Sequence, residues 1–230
     1  CAWGANGGTG KPIVINEVSG EATFKAENPF AALAAGGDTG GGCYDPLRNC
    51  VWWLPPRNGS AMTKYDIASN TWSEVGAGVA SSSAALCYLP DDDCILVVGT
   101  LGANGFAVFD CATGTWHYPA ITGVFVGGIN LSVYTYGAVS PTWVPGLSAA
   151  AMWDNSSNTA SINIMTKPAN PRSGVWVVSQ LPVSGLNVVA PSARTPNGTY
   201  GRFQYSPNLD GFLLLNAVDQ DLYFYALSAA

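Results

Sequence analysis

Short runs of alternating apolar and polar residues, each broken by a cluster of Pro, Asn, Asp or Gly, recur along this chain in a fixed order. From Cys43 to Trp72 the order is Cys-Tyr-Asp-Pro-Leu-Arg-Asn-Cys-Val-Trp-Trp-Leu, a polar gap, then Lys-Tyr-Asp-Ile-Ala-Ser-Asn-Thr-Trp. From Cys87 to Trp116 it returns as Cys-Tyr-Leu-Pro-Asp-Asp-Asp-Cys-Ile-Leu-Val-Val, a gap, then Val-Phe-Asp-Cys-Ala-Thr-Gly-Thr-Trp. The two copies begin 44 residues apart, which is the span of one four-stranded propeller blade. Runs bounded in this way by turn residues read as strands, at 42–45, 50–54, 61–66 and 71–75 in the first unit and 84–89, 94–99, 105–109 and 115–118 in the second. Trp72 and Trp116 open the last strand of each unit, where a wide flat ring covers apolar area between blades.

Two weaker copies follow. Residues 150–159 place Met152 and Thr159 at the cysteine positions and Trp153 at the position of Tyr44 and Tyr88, with an outer half at 174–180. The stretch Ile121–Leu147 between them is longer than an ordinary connection, and reads as either a further, divergent blade or a functional insertion. In residues 202–215, Tyr205 and Pro207 match Tyr44 and Pro46, and 221–227 supplies a third strand without a final Thr-Trp strand after it. Proteins pair or cover an exposed strand edge, so the β-branched run Pro12–Val18 is expected to complete this last blade and close the ring. The expected fold is therefore an all-β propeller of four-stranded antiparallel blades with four clear repeats, or five if 121–147 is a blade. It forms one domain over residues 1–230, with blades near 40–75, 82–118, 148–181 and 200–227.

Composition agrees with this and removes several functions. Gly 27, Pro 15, 48% hydrophobic and only 10% charged residues describe buried strands joined by turns rather than helices or disorder. A net charge of −6 with nine Lys plus Arg argues against nucleic acid. No apolar run approaches the roughly 20 residues of a membrane-spanning helix.

Cys43 with Cys50, and Cys87 with Cys94, flank turn-like segments of equal length in two repeats. Residues facing across a hairpin lie within disulfide range, so two short staples are expected, and with them an oxidising, extracellular or cell-surface setting. Cys1 and Cys111 are left over, and pair on even count alone. A zinc site is the competing reading, but the short Cys-x-x-Cys knuckles are missing and His117 is the only histidine. Cys1 at the start suggests a removed leader or larger precursor, as a lipid-bearing or simply a mature N-terminus. Sequons at Asn58, Asn130, Asn155 and Asn197 add little weight.

The repeats resemble kelch-type β-propeller repeats, through Gly40–Gly42 with Tyr44-Asp45, Tyr65-Asp66 and Trp72, then Tyr88, Phe109-Asp110 and Trp116. The tail, from Tyr200 to Pro207 and from Asp219 to Tyr225, is similar to closing repeats of secreted bacterial kelch-like proteins. Such proteins usually have six or seven blades, more than are found here. The resemblance implies a fold and leaves the activity open.

Chemistry is sparse. There is no Gly-x-Ser-x-Gly elbow, phosphate loop or His-Glu-x-x-His, and a triad would have to use His117, at a strand position beside Trp116. Asp91-Asp92-Asp93 offers oxygen ligands for calcium, although the matching place in the first repeat, Pro46–Asn49, is a plain turn. No cofactor is implied. The aromatic content suits a binding surface for a glycan or protein, with Trp143, Tyr134 and Tyr136 in the long insertion and Arg202 and Tyr200 at the last blade as candidate ligand-binding residues. Filling of blade interfaces is the plainer role for each aromatic. The expected function is a secreted binding module in adhesion or a surface or virion assembly, itself an oligomer or part of a larger assembly. The alternatives are a polysaccharide lyase with an axial site near Arg202, Arg194 and Tyr200, and a structural subunit without a small ligand.

Overall fold

The computed structural model describes residues 13–15, 18–30, 41–55, 60–79, 84–99, 105–125, 141–153, 162–181, 191, 202–216 and 219–227. Its architecture follows from one turn used four times. Proline starts the turn and a residue with left-handed backbone ends it: Pro46 to Asn49 (φ 49°), Pro90 to Asp93 (φ 51°), Pro145 to Ser148 (φ 46°) and Pro207 to Asp210 (φ 43°). Proline presets the first turn dihedral, and Asn and Asp tolerate the left-handed one better than other side chains. In three copies a tyrosine five residues ahead locks the turn by donating its hydroxyl to that side chain: Tyr44 to Asn49 (3.0 Å), Tyr88 to Asp93 (3.2 Å) and Tyr205 to Asp210 (3.2 Å).

Each turn joins the inner two strands of a blade. The first blade is β3 (Gly41–Asp45), β4 (Cys50–Leu54), β5 (Ser60–Asp66) and β6 (Thr71–Val79), hydrogen-bonded in that order. The second is β7 (Ala85–Leu89), β8 (Cys94–Val98), β9 (Phe106–Asp110) and β10 (Thr115–His117). The third is β12 (Thr142–Val144), β13 (Ala149–Trp153), β14 (Ile162–Thr166) and β15 (Trp176–Leu181), with β11 (Ile121–Gly123) added parallel to β15 on its outer side. The fourth shows β16 (Phe203–Ser206), β17 (Gly211–Leu214) and β18 (Tyr223–Ala226). Together they make a four-bladed propeller, among the described residues all β apart from one short 3-10 turn, Pro145–Leu147. No helix among the described residues is long and apolar enough to cross a membrane.

Burial occurs between blades. Trp52, Ile95, Val97 and Phe109 fill the first interface, Leu96, Val108, Met152 and Trp176 the second, and Trp153, Phe203, Phe212 and Tyr225 the third. Trp52 meets Phe109 edge-on at 5.5 Å, and Phe203 stacks on Phe212 at 4.8 Å. Each such ring, taken fully from water, contributes about 2–3 kcal/mol. The inner strands run side by side and in the same sense, and a Cβ at Gly41 would lie 2.1 Å from the Ala84 carbonyl oxygen. Only glycine permits that approach near the axis.

Three expectations change. The third inner hairpin is Thr142 to Ala149, not the 150–159 segment, so Trp143 rather than Trp153 stands where Tyr44 and Tyr88 stand. The long connection is thus partly blade: β11 and β12 both come from it. Finally, among the described residues Ile13–Ile15 (β1) pairs with Ala22–Phe24 (β2) in a two-stranded sheet and not with β18 of the fourth blade. The chain after β2 packs on the first blade, where Trp72 Nε1 donates to the Ala26 carbonyl at 2.9 Å just as Trp116 Nε1 donates to Ala77 at 3.0 Å.

The outer approach of first and second blades is as tight as the inner one. Gly76 has φ +79°, and a Cβ there would sit 2.3 Å from the Gly114 carbonyl oxygen, whereas Gly20 has φ +70° with nothing within 4 Å. Gly20→Ala should cost only the left-handed penalty, about 1 kcal/mol, while Gly76→Ala adds an overpacking term and should cost about 3 kcal/mol. Urea denaturation of the two variants checks this; equal losses would contradict the close approach.

Candidate functional site

Because the inner strands run in the same sense, their turns gather at one end of the propeller around the axis. Two kinds of side chain meet there. Charged residues bridge neighbouring blades, and apolar residues stand at the turn tips.

The bridges centre on the acidic second turn. Arg48, from the first blade, forks onto Asp93 through both terminal nitrogens (2.5 and 2.6 Å) and reaches Asp45 Oδ2 at 2.9 Å. Asp45 is fully buried and also accepts from the Leu47 and Arg48 backbone N–H groups and from Trp52 Nε1 (3.0 Å). Burial alone would raise its carboxyl, but the bonds from Trp52 and Arg48 outweigh that and hold it below its usual 3.8. On the other side Lys167 Nζ lies 2.9 Å from Asp92, and Arg172 donates to Asp110 (2.6 Å) and to the Asp92 carbonyl (2.9 Å). Burial pushes the Asp110 carboxyl up, and bonds from Thr113 and Arg172 more than reverse it. The Asp91–Asp93 run, a calcium candidate in sequence, is therefore a clasp holding the second blade between its neighbours. No sequence motif marks this, since Arg48, Lys167 and Arg172 become neighbours of the run only through the fold.

Asp45, Asp93 and Cys111 bring one ligand atom each within 4.8 Å of one another. A cation there would compete with the Arg48 guanidinium, which already neutralises both carboxylates. Burial also pushes the Cys111 thiol up, and Asp93 and Asp45 reinforce it, so the thiolate that a metal prefers is disfavoured. The donor set fits an ion-pair clasp better than a metal centre.

The expected hairpin staples are not formed: Cys43, Cys50, Cys87, Cys94 and Cys111 are all free thiols. The register explains this. Cys43 stands opposite Trp52 and Cys50 opposite Asp45, with Cys87 opposite Leu96 and Cys94 opposite Leu89. Each pair is diagonal, about 7–8 Å apart on a regular ladder, beyond the span a disulfide bridges without backbone movement. Burial pushes Cys87 and Cys94 up to about 12.

Of the candidate ligand-binding residues, Trp143 lies on β12, half-buried against the core between the second and third blades. Arg202 immediately precedes β16, half-buried, its carbonyl accepting from the Leu215 N–H at 2.9 Å. Trp143 takes on β12 the place that Tyr44 takes on β3, but is half-buried where Tyr44 is exposed. Tyr134, Tyr136, Tyr200, Arg194 and Cys1, with all four sequons, lie outside the described residues. His117 pairs with Val108 on β9, and no described group forms a nucleophile–base couple with it.

What sequence reading missed is the row of turn tips. Leu47 is 70% exposed, Leu209 57%, Leu147 38% and Tyr44 48%. The three leucines come from three different turns, with Tyr44 on β3 just before the first, and their common position shows only once the third hairpin is placed at Pro145.

No protein-family model matches this chain, and no curated protein matches it. Among solved structures it is similar to TolB from Acinetobacter baumannii, at 11% identity and a TM-score of 0.55, over 93% of this chain and 45% of that one. Weaker likenesses are to the dihydro-heme d1 dehydrogenase NirN in complex with DHE (12%, TM-score 0.42, 94% and 41%) and to the extracellular domain of the hybrid two-component system BT3049 from B. thetaiotaomicron (12%, 0.42, 93% and 30%). The chain thus spans under half the length of each. At these identities the likeness bears on the fold alone.

The clasp predicts an acid limb. Asp45 titrates below its usual value when folded, so its stabilisation is present above about pH 4 and is lost as pH falls through the depressed folded value. Asp45→Asn should lose about 3 kcal/mol at pH 7, having broken a buried pair, and should show a shallower fall in stability between about pH 4 and 2. Parallel acid limbs for the two proteins, measured by denaturant titration, would contradict the assignment.

Proposed function

We propose that this protein is a protein-binding propeller, with the rim of inner turns as its contact surface. The observation that carries the reading is the exposure of Leu47, Leu147, Leu209 and Tyr44, with the turns of Leu47 and Leu209 braced by tyrosine bonds and the first of them also by a cross-blade ion pair. Apolar side chains displayed on a fixed frame lose little entropy on binding, which favours a docking surface. The cations near the rim are engaged in the clasp, consistent with recognition by shape and apolar contact rather than by charge.

A glycan is the second reading. It is favoured by Tyr44, whose half-exposed ring is fixed by its bond to Asn49 and offers a face for a sugar to stack on.

A photo-crosslinking residue placed at Leu47 should give one discrete protein adduct in extracts of the source organism. The same residue placed at Phe24, also exposed but on β2, should not. Adding Leu209→Asp should reduce the Leu47 adduct at least fivefold. A diffuse product at both sites would sink the protein-binding reading, and saturable binding on a glycan array that Tyr44→Ala abolishes would favour the second.

A further inference from the structure

The second inner turn differs from the other three in what it shows to solvent. The first, third and fourth turns present Leu47, Leu147 and Leu209. The second presents Asp91, which takes the place of Leu47 directly after the turn proline and is likewise exposed. Its two neighbours are committed to the clasp, Asp92 to Lys167 at 2.9 Å and Asp93 to Arg48. Asp91 itself has no hydrogen bond or ion pair among the described residues.

The clasp also fixes where Asp91 stands. Arg48 ties the second turn to the first through Asp93, and Lys167 ties it to the third, with Nζ on Asp92 and its backbone N–H donating to the Ser148 carbonyl at 2.9 Å. Asp91 is thereby held on the turn that lies between those of Leu47 and Leu147. The cations near enough to neutralise it are already taken: Arg48 by Asp45 and Asp93, Lys167 by Asp92, and Arg172 by Asp110. An uncompensated negative charge is thus set among exposed leucines. A second copy docking rim to rim would bring two net-negative surfaces together, and an anionic partner such as a phosphate backbone would be repelled in the same way.

We propose that the rim takes a segment of a partner protein in which a lysine or arginine is flanked by apolar side chains: the cation sits against Asp91, and the apolar residues lie on Leu47 and Leu147 to either side. This rests on the rim being the contact surface, and adds the chemistry of what it contacts. The leucines supply most of the affinity. The carboxylate supplies orientation and speed of encounter, since a charge at a contact edge acts on association and specificity more than on affinity. The chain's net charge of −6 works in the same direction, drawing a cationic segment in before contact.

The probe is a random-peptide library displayed on phage and selected on the whole protein. Enriched peptides should carry Lys or Arg beside apolar residues, and synthetic versions should bind a protein with Leu47→Ser and Leu147→Ser severalfold more weakly. Asp91→Asn, at an exposed position, should weaken them about threefold with an unchanged circular dichroism spectrum. That loss should lie mainly in slower association and should shrink in high salt. Asp91→Lys should weaken them about tenfold, and selection on that variant should enrich Asp or Glu in place of the cation. Peptides that need the two leucines but carry no cation, or that bind Asp91→Asn as tightly as the parent, would overturn this inference and leave the rim as the contact surface. Peptides indifferent to the leucine substitutions, or no enrichment at all, would overturn both.

Discussion

The closing of each inner hairpin is the constraint on which the rest of this structure depends. A proline, two free residues and a left-handed residue fix the register of the innermost two strands, and that register decides which side chains face the neighbouring blade. A shift by one residue would turn Trp52 outward and bring Trp53 to the face toward the second blade. The tyrosine hydroxyl bonded to Asn49, Asp93 or Asp210 stabilises the costly backbone conformation, and its ring joins the same apolar row. Local turn chemistry and inter-blade packing are in this way the same residues seen twice.

Packing alone would leave the blades free to slide, since apolar surfaces are not directional. Direction comes from the clasp. Arg48 spans from Asp45 in its own blade to Asp93 in the next, and Arg172 spans from the third blade to Asp110 and the Asp92 carbonyl in the second. Bidentate guanidinium–carboxylate geometry is specific in angle as well as distance, so it sets the rotation of one blade on another. That rotation in turn fixes where Leu47 of the first blade stands relative to Leu147 of the third. Part of the rim is thus set by the clasp, which holds exposed leucines of the first and third blades on a rigid frame.

Much of the fold was legible in the sequence because its signals are local. In the first two blades alternation and turn residues place the strands within a few residues of where they lie, with β6 alone running on past 75 to Val79. The third blade was misread because its turn uses Ser148 where the others use Asn or Asp, and Trp143 where they use Tyr, so the decoy Trp153 drew the alignment. The staples were misread because equal spacing in two repeats reports register and not facing; Cys43 and Cys50 are one diagonal apart. The clasp was invisible for a different reason. Arg48 to Asp93 and Arg172 to Asp110 join residues of different blades, and only the fold brings them together. Nothing local distinguishes Arg48 from a solvated turn arginine.

The orientation of the first blade on the second depends on Arg48 and Asp93 acting as a coupled pair. A double-mutant cycle with Arg48→Met and Asp93→Asn, read by equilibrium denaturation at pH 7, measures that coupling directly. The expected coupling is about 1–3 kcal/mol, reflecting a charge-assisted, bidentate and partly buried pair. Additive single-mutant losses, with a coupling near zero, would show that the blades are held by packing alone and that the clasp does not orient the rim.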